Sequence, residues 1–186
     1  MIALLYPIAE EVGGKLINNR EVRSLLIGIG EKSIQALESF SGSMGFAVLL
    51  GTAAALDTKL RVGDIVVVGS YISLDGSRIS ADIEPHSLAC SILEREGLEF
   101  HDGSSLTVPV FGQGIHSNAA MILNMEDFYV AKVLRKRGVP MVTVRIISDL
   151  GGRETLSKKE LRERIITSGV ILRKQFVVPF LKAMQR

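Results

Sequence analysis

Three stretches of this chain set acidic side chains where an α/β protein does its chemistry. Glu10 and Glu11 follow the apolar run Met1–Tyr6 and Pro7; Glu126 closes the run that ends Asn124-Met125-Glu126; Asp149 follows the β-branched run Met141–Ile147. Ligands of open α/β sheets sit beyond the carboxyl ends of the strands. Carboxyl groups there can move protons or accept hydrogen bonds from hydroxyls. Each acid also has a plain structural reading. Glu10 and Glu11 suit a solvated first helical turn, Glu126 a helix start favoured by the dipole, and Asp149 a turn before Gly151-Gly152. Cys90 is the sole cysteine, which excludes an internal disulfide and a cysteine-based metal cluster. His116 lacks neighbours at the spacing of a metal site, so neither metal nor other cofactor is expected.

The elements that would hold these acids follow from periodicity. Residues 121–152 read as strand, amphipathic helix, strand: Ala131, Val133 and Leu134 face inward, Lys132 and Arg135 to Arg137 face water, and Gly138 is the stop. Residues 141–147 are nearly all apolar, as suits a strand covered on both faces. Further strands are expected over 1–6, 23–29, 46–50, 65–72 and within 98–110, with Thr107 to Phe111 the apolar end of the last. Helices are expected over 9–16, after the Gly28-Ile29-Gly30 turn with Ile34, Leu37 and Phe40 on one face, and over 85–96. That G-x-G turn can approach an anion or serve only as a tight turn. Residues 73–84 read as a polar turn, His86 as exposed and Cys90 as core. Ser157 to Glu160 forms a capping box between staple residues Leu156 and Leu161, opening a long helix through Phe180 that Pro179 should kink.

Length and composition bound the class. A chain of 186 residues, 47% hydrophobic, can bury one sizeable core and is too short for two comfortable domains. No apolar run approaches the length of a membrane span. The first residues lack the charged region and cleavage site of a secretory signal, so cytoplasm is the expected compartment. A formal net charge of +2 gives no case for a nucleic-acid partner.

Asn124-Met125-Glu126-Asp127, followed by Val144-Arg145-Ile146-Ile147-Ser148-Asp149, resembles the V-E-M-E and V-R-x-I-S-D signature of the nucleoside phosphorylase and nucleosidase family, nearest its methylthioadenosine/S-adenosylhomocysteine nucleosidase branch. Ala9-Glu10-Glu11-Val12, Gly28-Ile29-Gly30, residues 50–56 and residues 60–67 fall in the family's order. The resemblance implies one domain over 1–186, a three-layer αβα sandwich with a mixed, mostly parallel central sheet. It implies cleavage of the N-glycosidic bond of a purine nucleoside or 5′-thio-substituted nucleoside, a small-molecule partner, and a homo-oligomer. On that pattern Glu11 activates water and Asp149 protonates the base, with Ser148 positioning it. Thr52 orients the nucleophile, Met125 packs on the ribose, Glu126 grips its hydroxyls and Phe111 stacks on the purine. Thr52 can equally be a turn hydroxyl, and Phe111 and Met125 core. Arg145 is expected to neutralise a neighbouring carboxylate. Leu49 stands where several phosphorylases carry a phosphate-binding arginine, so water is the expected nucleophile and phosphorolysis the alternative. Asn124 replaces a glutamate, and the strand pair and insertion of relatives are missing at 17–21 and shortened at 73–84. These departures keep a non-catalytic nucleoside-binding module open.

Overall fold

In the computed structural model, which describes residues 1–110 and 119–184, the apolar runs become eight strands of one sheet. They are β1 (Ile2–Tyr6), β2 (Val22–Leu26), β3 (Phe46–Ala55), β4 (Ile65–Ser73), β5 (Arg78–Ser80), β6 (His101–Thr107), β7 (Ile122–Asn124) and β8 (Met141–Asp149). Helices α1 (Lys32–Ser39), α2 (Ile83–Arg95), α3 (Asp127–Lys136), α4 (Lys158–Leu172) and α5 (Val178–Met184) cover it. The pairing is mixed and mostly parallel: β2–β1–β3–β8 run parallel, β4 meets β8 antiparallel, and β6 joins β4 and β7 in parallel. Because β7 also pairs the end of β3 antiparallel, β3, β8, β4, β6 and β7 close into a circuit.

Side-chain alternation sorts the core into two layers. Ala3, Leu5, Ala47 and Leu49 pack with Leu37 of α1 and Val130, Ala131 and Leu134 of α3. Leu4, Tyr6, Val48 and Leu50 pack on the other face with Ala89, Ile92 and Leu93 of α2 and Leu172, Phe176 and Phe180 beyond. The expected αβα arrangement is therefore present. Each fully buried Leu or Phe contributes about 1.5–3 kcal/mol, and both layers draw on the same strands.

Several local expectations are corrected. The helix expected over 9–16 is a single 3-10 turn, Ala9–Val12, because Gly13 turns left-handed at φ 64°. The third strand runs on through Gly51 and Thr52 to Ala55, since β8 pairs it along its length. The polar stretch 73–84 contains β5, a hairpin partner of β4, and the strand within 98–110 ends at Thr107, the first residue of the apolar end assigned to it. His86, read as exposed, is largely covered and meets Asp102 at 3.1 Å. The terminal helix breaks where expected, but by widening. Residues Arg173–Val177 take π geometry, with the Val178 N–H donating to the Arg173 carbonyl, just ahead of Pro179, which has no N–H to give.

Candidate active site

The carboxyl ends of β1, β3 and β8 share one edge of the sheet, and the acids collect there. Tyr6 ends β1, Pro7 turns the chain, and the 3-10 turn brings Glu11 back over β3. Glu11 is only 4% exposed. Its Oε1 accepts from the Thr52 N–H at 2.6 Å and the Thr52 hydroxyl at 2.8 Å, and its Oε2 is buried without a protein partner. Burial pushes its carboxyl above the ordinary glutamate range, offset in part by Arg145 and the Thr52 bonds. The solvated-turn reading of Glu11 is therefore wrong: Glu10 faces the surface ion pair with Arg162, at 3.2 Å, and Glu11 turns inward. Gly51 makes room, since a Cβ there would sit 2.4 Å from Arg145 Nη1 and 2.7 Å from Glu11 Oε1.

The junction of β7 and α3 sets Glu126. Asn124 Oδ1 accepts from the backbone N–H groups of Glu126 (3.0 Å) and Asp127 (2.8 Å), capping the first turn. Asn124 Nδ2 donates to Ser105 Oγ and Asp127 Oδ2, and the Thr107 hydroxyl donates to Asn124 Oδ1. A glutamate at 124 could accept here but not donate. Arg145, fully buried on β8, donates to Glu126, to Asp127 and to the Thr52 carbonyl. Burial disfavours its charge, yet Asp127, Glu126 and Glu11 together hold its pKa above the usual arginine value. Glu126, 4% exposed, is pushed up to about 7 by burial, with Arg145 opposing and Asp127 and Glu11 adding to the rise.

At the end of β8 the register with β3 slips: Ala53 faces Ile147 and Ala54 faces Asp149, leaving Ser148 as an extra residue. Bulges of this kind re-aim side chains beside functional sites. The Ser148 hydroxyl donates to Asp149 Oδ2 at 3.0 Å, and the Gly151 N–H donates to Oδ1 at 3.1 Å.

These groups surround a cavity of about 320 Å³. Glu11, Thr52, Met125, Glu126, Ser148 and Asp149 all line it. Arg145 lies behind Glu126 and does not line it, and Phe111 falls outside the described residues. Pro7, Ile8, Ile29, Ala53, Ala54 and Asn124 also line it, as do Glu154, Leu156, Leu161 and Ile165 from the following segment and α4. The sequence reading missed Glu154 and the apolar wall. Leu156 and Leu161, read as staples of the capping box, face the cavity instead, as does Ile165 further along α4, while the box itself forms as expected. Glu154 accepts from the Leu150 N–H at 2.9 Å and from Arg164 at 2.8 Å. Asp127 was visible only indirectly, because an arginine inside an apolar central strand needs a buried counter-charge. Among the described residues no three His, Cys, Asp or Glu side chains are grouped to hold a metal, and no helix is long and apolar enough to cross a membrane.

The profile of the Phosphorylase superfamily matches residues 14–170. No curated protein matches the sequence. Among solved structures, 5′-methylthioadenosine/S-adenosylhomocysteine nucleosidase from Helicobacter pylori with butyl-thio-DADMe-Immucillin-A aligns at TM-score 0.81 and 20% identity, over 98% of this chain and 96% of that one. Native futalosine hydrolase of Helicobacter pylori strain 26695 aligns at TM-score 0.82 and 18% identity, over 98% and 97%. A putative 5′-methylthioadenosine/S-adenosylhomocysteine nucleosidase from Borrelia burgdorferi B31 bound to adenine aligns at 0.80 and 18%, over 99% and 100%. At these identities the likeness establishes the fold.

Proposed function

The chain belongs to the phosphorylase superfamily, and from that premise we propose that it hydrolyses the N-glycosidic bond of a purine nucleoside or 5′-thio-substituted nucleoside, with water as the nucleophile. The observation that carries this reading is the charge of the cavity wall. Among the described residues its ionisable side chains are Glu11, Glu126, Asp149 and Glu154, with no Lys or Arg. The guanidiniums that reach lining residues are already engaged: Arg145 on Glu126, Asp127 and the Thr52 carbonyl, and Arg164 on Glu154 and the Ser148 carbonyl. A phosphate dianion would meet four carboxyl groups and no free cation. Water meets a base with one oxygen fixed and the other unpartnered.

In this reading Glu11 Oε2 takes a proton as the water oxygen bonds to the anomeric carbon, while Thr52 holds Oε1 in place. The bond from that carbon to the base nitrogen breaks, and its electron pair leaves with the purine. Asp149, held by Ser148 and the Gly151 N–H, supplies the proton that neutralises the departing base. Glu126 accepts from the ribose hydroxyls, bonds that strengthen as the sugar flattens toward an oxocarbenium ion. The apolar wall of Leu156, Leu161 and Ile165 keeps water activity low around these groups.

The test is release of free base from methylthioadenosine, S-adenosylhomocysteine, adenosine, inosine and futalosine, each with and without phosphate, beside Asp149→Asn. Release that needs no phosphate and is lost in the variant is the expected result. Release that requires phosphate would make the protein a phosphorylase. Binding of a nucleoside without any release would make it the non-catalytic module.

A further inference from the structure

One guanidinium inside this fold stands among three carboxyl groups, and it does not serve them equally. Asp127 takes two of its donors: both Nε, at 3.1 Å, and Nη2 of Arg145 donate to its Oδ1. Glu126 receives only a donation from the shared Nη2, and Glu11 receives none. The other oxygen of Asp127 is held by two neutral donors, Ser105 Oγ and Asn124 Nδ2, each at 2.8 Å. Asp127 and Arg145 are both wholly buried, and Asp127 lines no part of the cavity. Charge-assisted bonds are the strong ones, and with two of its donors committed to Asp127 the fork that could neutralise Glu126 is already taken.

We propose that Asp127 is a positioning residue that claims the Arg145 fork and thereby leaves Glu126, the group facing the cavity, incompletely neutralised and ready to exchange a proton. The functional side of this rests on the reading of Glu126 as the ribose-gripping carboxylate. The charged and titratable groups around the pair are Arg145 from β8, Glu11 from the 3-10 turn and Tyr71 from β4, which Asp82, ahead of α2, also influences. Of these only Arg145 opposes protonation of Glu126, while Asp127 and Glu11 favour it. Removing the Asp127 charge acts twice in one direction: it lifts a repulsion from Glu126 and frees the arginine fork to turn toward it.

The decisive measurement is the titration of Glu126 itself, followed by NMR on protein carrying carboxyl-labelled glutamate, with Glu126→Gln used to assign the resonance. Asp127→Asn should move the midpoint down by about one pH unit or more. Ser105→Ala strips one neutral donor from Asp127 while keeping its charge, and should move the midpoint up by roughly half a unit. An unmoved midpoint in folded Asp127→Asn overturns the proposal. If that variant does not fold, an unmoved or lowered midpoint in Ser105→Ala does the same. The acid limb of kcat/KM should follow the midpoint through KM with kcat little changed, a split that a merely structural residue would not produce. Shifted midpoints without cleavage of any nucleoside would sink the hydrolase reading and leave Asp127 in its role. Cleavage with unshifted midpoints would do the reverse.

Discussion

The side chains at the mouth of the sheet differ in how much their chemistry depends on burial. Glu11 owes its capacity to take a proton to its enclosure and to the two Thr52 donors that fix one oxygen. Glu11→Gln keeps an oxygen for those donors and removes the base. Release of free base should fall by about 10²-fold or more while urea unfolding shows no loss of stability, since a buried carboxyl is removed with its partners kept. Glu126 makes a second prediction, on pH. Its folded-state value is raised from the ordinary 4.5 to about 7, so the folded protein binds more protons than the unfolded chain between those limits. Stability is then greatest below that window and declines as pH climbs through it. A series of melting temperatures from pH 4.5 to 8 should fall over this range, and Glu126→Gln should flatten the slope. A wild-type curve that rises instead would mean that Arg145 neutralises Glu126 fully.

The short 3-10 turn that carries Glu11 has few bonds of its own and is aimed by what it rests on. Gly169 in α4 lies directly beneath it, and a Cβ there would stand 2.8 Å from the Glu11 carbonyl oxygen and 2.9 Å from that of Glu10. Gly169→Ala gains about 1 kcal/mol of helix propensity, but overpacking against backbone costs about 1–3 kcal/mol. The net expected outcome is a modest loss of stability in urea together with a drop in kcat, because the relief must come from moving Glu11. Stabilisation with unchanged kcat would show that the turn can shift freely. The start of α4 is set by the Ser157–Glu160 capping box, which holds Leu156 and Leu161 against the cavity. Ser157→Ala should cost about 1 kcal/mol, read by thermal unfolding.

Among the described residues the core is two apolar layers and a smaller cluster of Ala54, Ile72, Leu106, Val108, Ala120 and Leu123, and the two layers share strands β1, β3, β4 and β8. Phe180 stacks on Phe46 at 5.9 Å and meets Phe176 at 5.5 Å, closing the layer that includes α2 and α4. Phe180→Ala should cost about 3–5 kcal/mol, and unfolding followed by far-ultraviolet dichroism and by tyrosine fluorescence should remain coincident, as the two layers share four strands. Much of this architecture was legible in the sequence because it is local. The β-branched run 141–147, the amphipathic helix ending at Gly138 and the capping box at Ser157 each depend on residues a few positions apart. Six of the eight residues singled out from motifs line one cavity, because the ends of parallel strands must share an edge. The sequence missed β5 and the extension of β3, whose polar or small residues become strand only through their partners. It could not separate Glu10 from Glu11, since the rotation of a short turn about its own axis decides which of two neighbours faces water. Periodicity and turn chemistry thus determined the layers and the edge where the acids gather. Only the tertiary structure decided which acids are buried, that one arginine stands among three of them, and that the bulge at Ser148 turns Asp149 to the cavity, because those outcomes depend on charge and register between segments distant in the chain.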